Sequence, residues 1–306
     1  MTRILITDGI EKSAVDNLVK DGFEVIEKFY ELEELKNEVK DFDVLVVRSA
    51  TKVRQSIIDV ACETGKLRLI IRGGVGIDNI DAEYAESKGI TVRNTPNASS
   101  VSVAELVMAH MLSLARFVHI SNHTMRLGKW NKKNYEGMEL SGKTLGLIGY
   151  GRIAREVAKR AQVFGMNIIY NDILGEMEGV GFEYNSLEDV LKKSDFISLH
   201  IPGSKDKKPI IGEKEIEIMK DGVYIINTAR GEVISEEALL NALNIGKVAG
   251  AALDVFQEEP TKNKELYTHD KVSLSPHIGA STKEAQEKIG GEVVSIINGF
   301  FKKGDS

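Results

Sequence analysis

Short runs of consecutive apolar residues, many of them β-branched, recur along this chain and are separated by segments with helical spacing. The early runs are residues 3–7 (RILIT), 44–47 (VLVV), 67–71 (LRLII) and 90–92. Later ones are 144–148 (TLGLI), 167–170, 196–199, 223–226, 248–252 and 271–274. A strand covered by helices on both faces has no polar side to show, so continuous apolar character predicts buried parallel strands. Amphipathic stretches between the runs, at 12–20, 55–62, 152–164, 187–193 and 236–243, predict the crossover helices. Alternation of this kind implies an α/β fold with doubly wound parallel sheets and right-handed crossovers.

One stretch breaks the alternation. Residues 99–127 carry a helical pattern with no strand, and Ser102-x-x-Glu105 fits a capping box near its start. The turn-rich Asn94-Thr95-Pro96-Asn97 just before it predicts a crossing from a first domain into a second. The amphipathic segment 283–301 is expected to return and pack on the first domain. At 306 residues the chain has room for two domains of ~150 residues each.

Composition removes several classes of function. A net charge of −6 opposes general nucleic-acid binding, which needs a cationic surface to displace counterions. A single cysteine, Cys62, excludes an internal disulfide and a Cys-based zinc cluster, fits a reducing cytoplasm, and reads as a small core residue. No apolar run approaches a signal-peptide core or the ~20 residues of a membrane span. The expectation is a soluble cytoplasmic protein without metal, membrane or nucleic-acid partner.

Two glycine motifs compete for one stretch. Residues 137–144 (GMELSGKT) match the P-loop pattern letter for letter, but a phosphate-cradling loop must leave a strand and open a helix. Here the pattern precedes the strand, so the match is accidental. Gly149-Tyr150-Gly151-Arg152-Ile153-Ala154 instead follows the strand at 144–148 and opens the next helix. Gly149 permits the tight turn, Gly151 lets backbone approach a pyrophosphate, and Ala154 lets helix and strand lie close. The following strand ends near Asp172, whose carboxylate suits a ribose hydroxyl pair and repels a 2′-phosphate, predicting NAD over NADP.

Chemistry-bearing residues gather after later strands, where open α/β sheets hold their ligands. Asn227-Thr228-Ala229-Arg230-Gly231 follows the strand at 223–226, Asp254 and Glu259 follow that at 248–252, and Ser275-Pro276-His277-Ile278-Gly279-Ala280 follows that at 271–274. An Arg, a Glu and a His at one edge suit the interconversion of a 2-hydroxy and a 2-keto acid. Arg230 grips a carboxylate as a fork, His277 exchanges the hydroxyl proton, and a buried Glu259 holds the imidazole. Of the remaining histidines, His110, His119 and His123 read as interfacial or surface groups, and His200 as structural.

These motifs resemble those of the D-isomer-specific 2-hydroxyacid dehydrogenases. The first domain adds residues 47–53 (VRSATKV), 72–79 (RGGVGIDN) and Gly128-Lys129-Trp130. Together they are most similar to the branch that oxidises 3-phospho-D-glycerate at the entry to L-serine biosynthesis. The resemblance implies a flavodoxin-like substrate domain from both chain ends, 1–96 and 282–306, with an inserted Rossmann NAD-binding domain at 97–281. It implies catalytic roles for Arg230, Glu259 and His277. It implies cofactor contacts at Gly149, Gly151, Arg152, Ile153, Asp172, Thr228, Ala229, Arg230, Asp254, His277, Gly279 and Ala280. Substrate contacts are implied at Arg48, Ser49, Gly73, Gly74, Arg230 and His277, with Lys52 and Arg72, and also Arg126, Lys129, Lys132 and Lys133, as further cations. A homodimer follows from the same likeness. The sequence departs from the family at Val75, Ile201 and the loop Gly203-Ser204-Lys205-Asp206, where a hydroxyl to the cofactor is missing. The chain ends at Ser306, without the serine-binding domain of longer members, so no feedback inhibition by serine is expected. Two alternatives stay open at this level: a broader reductase of hydroxypyruvate and glyoxylate, and an NAD-sensing corepressor-like binding protein.

Overall fold

The computed structural model describes residues 1–204, 206 and 208–301. Lys205, in the loop expected beside the cofactor, lies outside the described residues, as do positions 302–306 of the expected first domain. In chain order the first elements are β1 (Arg3–Ile6), α1 (Lys12–Lys20), β2 (Glu24–Glu27), α2 (Leu32–Glu38), β3 (Val44–Val47), α3 (Gln55–Cys62), β4 (Leu69–Arg72), α4 (Ala82–Ser87) and β5 (Thr91–Asn94). Next come α5 (Ser100–Ala115), α6 (Val118–Arg126), β6 (Thr144–Ile148), α7 (Arg152–Val163), β7 (Asn167–Asn171), β8 (Glu183–Tyr184), α8 (Leu187–Lys193) and β9 (Phe196–Leu199). The rest are α9 (Glu213–Glu217), β10 (Val223–Asn227), α10 (Glu236–Ile245), β11 (Val248–Leu253), α11 (Lys264–Tyr267), β12 (Val272–Leu274) and α12 (Lys283–Phe301).

The chain divides into two compact units, Met1–Ser99 with the segment from Ala280 onward, and Ser100–Gly279. In the first, five parallel strands run in the order β2-β1-β3-β4-β5, the flavodoxin-like order. Its strands are apolar on both faces because both are covered. Leu5, Leu45, Val47 and Ile70 point into one core with Ile57 and Ile58 of α3. Ile4, Ile6, Val44, Val46, Leu69 and Ile71 point into the other, with Leu18 of α1 and Val293 and Ile297 of α12. The last helix thus packs on the first, where Gly290 comes so close that a Cβ would stand 2.7 Å from that of Ala14. Cys62 is half-buried against the α3-side core.

The second unit has seven parallel strands in the order β12-β11-β10-β9-β6-β7-β8. Numbered from β6, this is the Rossmann order, reversing direction between β6 and β9. Leu145, Leu147, Phe196, Tyr224 and Ile226 face a core closed by α5 and α7. Ile148, Ile197, Leu199, Ile225 and Leu253 face the other, closed by Val190 of α8 and Leu239 and Leu243 of α10. Among the described residues no single helix is long and apolar enough to cross a membrane.

Three expectations need correction. The helix read over 99–127 is two helices bent by 68°. Phe117 takes the left-handed conformation at the break (φ 55°), and the Ser113 hydroxyl accepts the His119 N–H at 3.2 Å. Ser102 lies inside α5 rather than at its N-cap, so the capping-box reading fails. His110 is no surface group: 5% exposed, it sits within the second unit. The edge strands β2 and β8 and the short helices α2, α4, α9 and α11 carry too few buried positions to show a pattern and were absent from the sequence reading. The stretch 137–144 does lead into β6, as its dismissal as a P-loop requires.

Candidate active site

In the second unit the loop after β6 lies at the reversal of strand order. Gly149 has φ 84°, and a Cβ there would stand 2.6 Å from the His200 carbonyl oxygen at the end of β9. Only glycine meets both demands, left-handed backbone and contact with a neighbouring strand end. Gly151 caps α7 with no side-chain hydrogen bond and has open space around its Cα. Arg152 is exposed and Ile153 half-buried at the helix's first turn, whose N–H groups have no partner inside the helix. Asp172, just past β7, accepts the Tyr150 N–H at 2.7 Å on Oδ2 and the Leu174 N–H at 3.0 Å on Oδ1. These bonds hold the acid against the glycine loop with further lone pairs on each oxygen. A dinucleotide fits this cradle on the structure's own terms: glycine where a side chain would obstruct, a helix N-terminus without a side-chain cap, and an acid beyond the next strand.

After β10 the buried Asn227 organises the next loop. Its Oδ1 accepts the Ala229 N–H at 3.0 Å, and its Nδ2 donates to the Arg230 carbonyl at 2.8 Å. Asn227 was not singled out by sequence reasoning, although an Asn at a strand end commonly bonds the backbone two residues on. Thr228 Oγ1 is buried without a hydrogen-bond partner, an orphaned hydroxyl on a loop assigned to the cofactor. Arg230 is half-buried, and one guanidinium nitrogen donates to the Ala229 carbonyl at 2.6 Å.

His277 and Glu259 meet. The imidazole Nδ1 lies 2.7 Å from Glu259 Oε2, and the Phe256 N–H donates to Glu259 Oε1 at 3.1 Å. Each side chain is 38% exposed, so Glu259 is not the buried carboxylate expected from sequence. It follows a surface turn instead of ending inside the sheet. Desolvation pushes its carboxyl upward, but the His277 bond and charge, the Phe256 N–H and the Arg230 charge outweigh it and hold the carboxyl below its ordinary value. His277 itself has φ 53°. Asp254, only 1% exposed, stabilises the turn around it: Oδ1 accepts the Ser275 hydroxyl at 2.6 Å and the Ile278 N–H at 2.8 Å, and Oδ2 accepts the Gly279 N–H at 2.9 Å. His200, next to the glycine loop, bonds Ser198 Oγ at 2.9 Å, and burial pushes its imidazole down to about 3. His119 and His123 lie on α6, the latter exposed.

Of the expected substrate residues, Arg48, Ser49, Gly73 and Gly74 belong to the first unit, and Arg230 and His277 to the second. Arg48 follows β3, and its N–H donates to Asp8 Oδ2 at 2.7 Å. Asp8 also accepts the Thr51 N–H and hydroxyl, while Asn79 Nδ2 donates to the carbonyls of Arg48 and Thr51, each at 2.7 Å. The loop carrying Arg48 and the exposed Ser49 is thus clamped from two sides. Gly73 and Gly74 are buried after β4, and the Gly73 N–H donates to the Val47 carbonyl at 2.8 Å. Arg48 lines an open hollow with Ser281, Thr282, Lys283 and Gln286 at the start of α12, and with Glu11 and Glu287. That α12 start escaped sequence reasoning because nothing local links it to Arg48. Ala280, expected at the cofactor, begins this first-unit segment. Lys52 and Arg72 belong to the first unit, and Arg126, Lys129, Lys132 and Lys133 to the second. Among the described residues no group of three or more His, Cys, Asp or Glu is placed to hold a metal.

Comparison with known proteins carries the reading further. Residues 108–279 match the model of the D-isomer specific 2-hydroxyacid dehydrogenase, NAD binding domain. A hydroxypyruvate reductase of Thermotoga maritima is 48% identical over 300 residues, spanning 96% of this chain and 97% of that protein. A D-3-phosphoglycerate dehydrogenase of Methanocaldococcus jannaschii is 47% identical over 301 residues, 97% of this chain but 57% of the relative, so the chain spans little more than half of that enzyme. Among solved structures, D-lactate dehydrogenase from Aquifex aeolicus complexed with NAD and lactic acid superposes with a TM-score of 0.86 at 32% identity, covering 98% of this chain and 96% of that one. A glyoxylate reductase from Paecilomyes thermophila gives 0.90 at 32% identity, covering 99% and 96%. The chain belongs to the family of D-isomer-specific 2-hydroxyacid dehydrogenases, NAD-dependent oxidoreductases of small hydroxy acids.

Proposed function

We propose that the protein interconverts a D-2-hydroxy acid and its 2-keto acid with NAD, and that 3-phospho-D-glycerate is the acid it oxidises, at the entry to serine biosynthesis. The observation that carries the chemistry is the 2.7 Å bond between His277 Nδ1 and Glu259. With Nδ1–H donated to the carboxylate, Nε2 is the lone pair that accepts the substrate hydroxyl proton, and Glu259 stabilises the imidazolium that results. In reduction the same imidazolium returns the proton to the keto oxygen. Arg230 orients the substrate carboxylate as a bidentate fork. Gly149, Gly151, Arg152, Ile153, Asp172, Thr228 and Ala229 hold the dinucleotide, with Asp172 selecting NAD. When bound, NAD supplies the two-electron acceptor that no side chain provides.

What supports a phosphorylated substrate is the hollow beside Arg48. A guanidinium, two hydroxyls and Lys283, groups that attract an oxyanion, stand there at the first turn of a 19-residue helix, with the carboxylates of Glu11 and Glu287 also lining the hollow. A second reading, reduction of unphosphorylated hydroxypyruvate, is favoured by the end-to-end match to the Thermotoga reductase. Either reading goes with assembly as a homodimer, which the mass in solution tests. NADH formation at alkaline pH from 3-phosphoglycerate, D-glycerate and D-lactate decides between the substrates. We expect a preference for 3-phosphoglycerate that Arg48→Ala lowers by about 10-fold or more, the loss of one charge-assisted contact. Equal use of D-glycerate would overturn the phosphate assignment in favour of the reductase, and failure with all acids and keto acids would favour a binding protein.

A further inference from the structure

The mechanism above leaves a buried histidine unused. His110 sits in the middle of α5 with 5% of its surface exposed, and both ring nitrogens are engaged: Nδ1 lies 2.9 Å from Ser273 Oγ and Nε2 lies 2.9 Å from Ser275 Oγ. Its partners flank the end of β12, at the entrance to the turn that carries His277.

The direction of every proton in this chain follows from its last member. The Asp254 carboxylate accepts the Ser275 hydroxyl proton, so Ser275 Oγ has no proton left for His110 and must accept one. His110 therefore carries its hydrogen on Nε2, and Nδ1 accepts from Ser273, whose other contact, to Ser113 Oγ, is longer at 3.4 Å. A charged ring would turn a second N–H, on Nδ1, toward Ser273 Oγ, which would then have to direct its own proton to Ser113 Oγ at the longer distance of 3.4 Å. Burial holds the imidazole below its ordinary value, the charge of His119 adds to this, and Asp254 opposes it. The sequence runs Ser273 to His110 to Ser275 to Asp254, and Asp254 grips the N–H groups of Ile278 and Gly279, the two residues after His277.

We propose that His110, as the neutral Nε2–H tautomer, is a positioning residue for His277, acting through Ser275 and Asp254 to hold the turn in which His277 takes a left-handed backbone and meets Glu259. The inference rests on the reading of His277 as the acid–base group. A non-glycine residue at positive φ persists only when its surroundings over-determine it, and here, beside the His277 N–H donated to the Ser275 carbonyl at 3.1 Å, the bonds that fix the following backbone come from the Asp254 carboxylate, itself tied to Ser275 and the ring behind it. His110 touches neither substrate nor reacting atoms, and its effect is on where the imidazole points.

The test combines a spectroscopic and a kinetic reading on the full chain. Long-range proton–nitrogen correlation of 15N-histidine protein assigns the His110 tautomer. Kinetics are then measured for Ser275→Ala, which cuts the link, His110→Leu, which removes it, and His110→Gln, which keeps an N–H donor. The expected result is an Nε2–H tautomer, with kcat lowered by about 10- to 100-fold in Ser275→Ala and His110→Leu, as for a misplaced group, KM for NAD within about twofold, and partial rescue in His110→Gln. Should His110→Leu fail to fold, Ser275→Ala and the tautomer assignment still decide. An Nδ1–H or doubly protonated ring, or wild-type kcat in Ser275→Ala, overturns the proposal. His277→Asn separates the two levels. Turnover retained in that variant removes the acid–base reading itself, whereas an inactive His277→Asn beside a fully active Ser275→Ala removes only the positioning role.

Discussion

Replacing Glu259 by Gln keeps the shape of the side chain and removes the charge that meets His277. Because the folded protein holds this carboxyl below its ordinary value of 4.5, the pair adds stability that is complete above that value and is lost as pH falls through the lower, folded value. The stability difference between wild type and Glu259→Gln in urea titrations is therefore expected to be largest near neutrality and to shrink at about pH 4 and below. Turnover at neutral pH should fall by about 100-fold, the scale of a general acid–base contribution. At the cofactor end, Asp172→Ala removes a negative charge beside the glycine loop. The ratio of NADP to NAD use should rise by about 10-fold or more, equivalent to ~1.4 kcal/mol, and an unchanged ratio in coenzyme titrations would assign ribose recognition elsewhere. At this scale the sequence located Gly149 in its tight turn and Asp172, Arg230, Glu259 and His277 on loops after strands, because turn signals follow the apolar runs there. It misread His110 as an interfacial or surface group, because its partners are 163 and 165 residues away. The helix around it contributes buried residues on nearly every side, which erases the amphipathic contrast that tells an inner face from an outer one.

Adjacent glycines in α12 show how an element's packing sets the sign of a mutation. Gly290 abuts Ala14 of α1, and Gly291 has nothing within 4 Å of its Cβ position. Gly290→Leu should destabilise the protein by ~1–3 kcal/mol through overpacking, while Gly291→Ala should stabilise it by ~0.5–1 kcal/mol by restricting the unfolded chain and favouring the helix. Urea midpoints for the two variants check both signs. The helix pair α5–α6 marks the limit of reading elements from sequence. Its break at Phe117 contains neither glycine nor proline, and at the bend the Ser113 hydroxyl accepts the His119 N–H and the Phe117 and Tyr135 rings meet (centroids 5.9 Å apart). Likewise β2, with the sequence EVIE and no fully buried residue, lacks the continuous apolar run that exposed its neighbours.

Across the whole chain the alternation of apolar runs and helical stretches implied doubly wound parallel sheets, since long parallel crossovers leave few topologies, whereas the two fold types were implied only by the family resemblance. The division at Ser99 and Gly279 lies close to where the strand-free segment begins and where the last helix is about to start. Sequence could not say which strand ends converge, because that depends on the order of strands in the sheet and not on their order in the chain. The 2.7 Å meeting of His277 with Glu259, 18 residues apart and on loops after different strands, is a product of the fold. Turnover of His277→Asn, set beside its NADH binding followed by fluorescence, decides whether this imidazole is the acid–base group. The expected result is a kcat lowered by about 100- to 10,000-fold with NADH affinity within about twofold of wild type. A variant that turns over at the wild-type rate, or one that loses NADH binding along with activity, would contradict it.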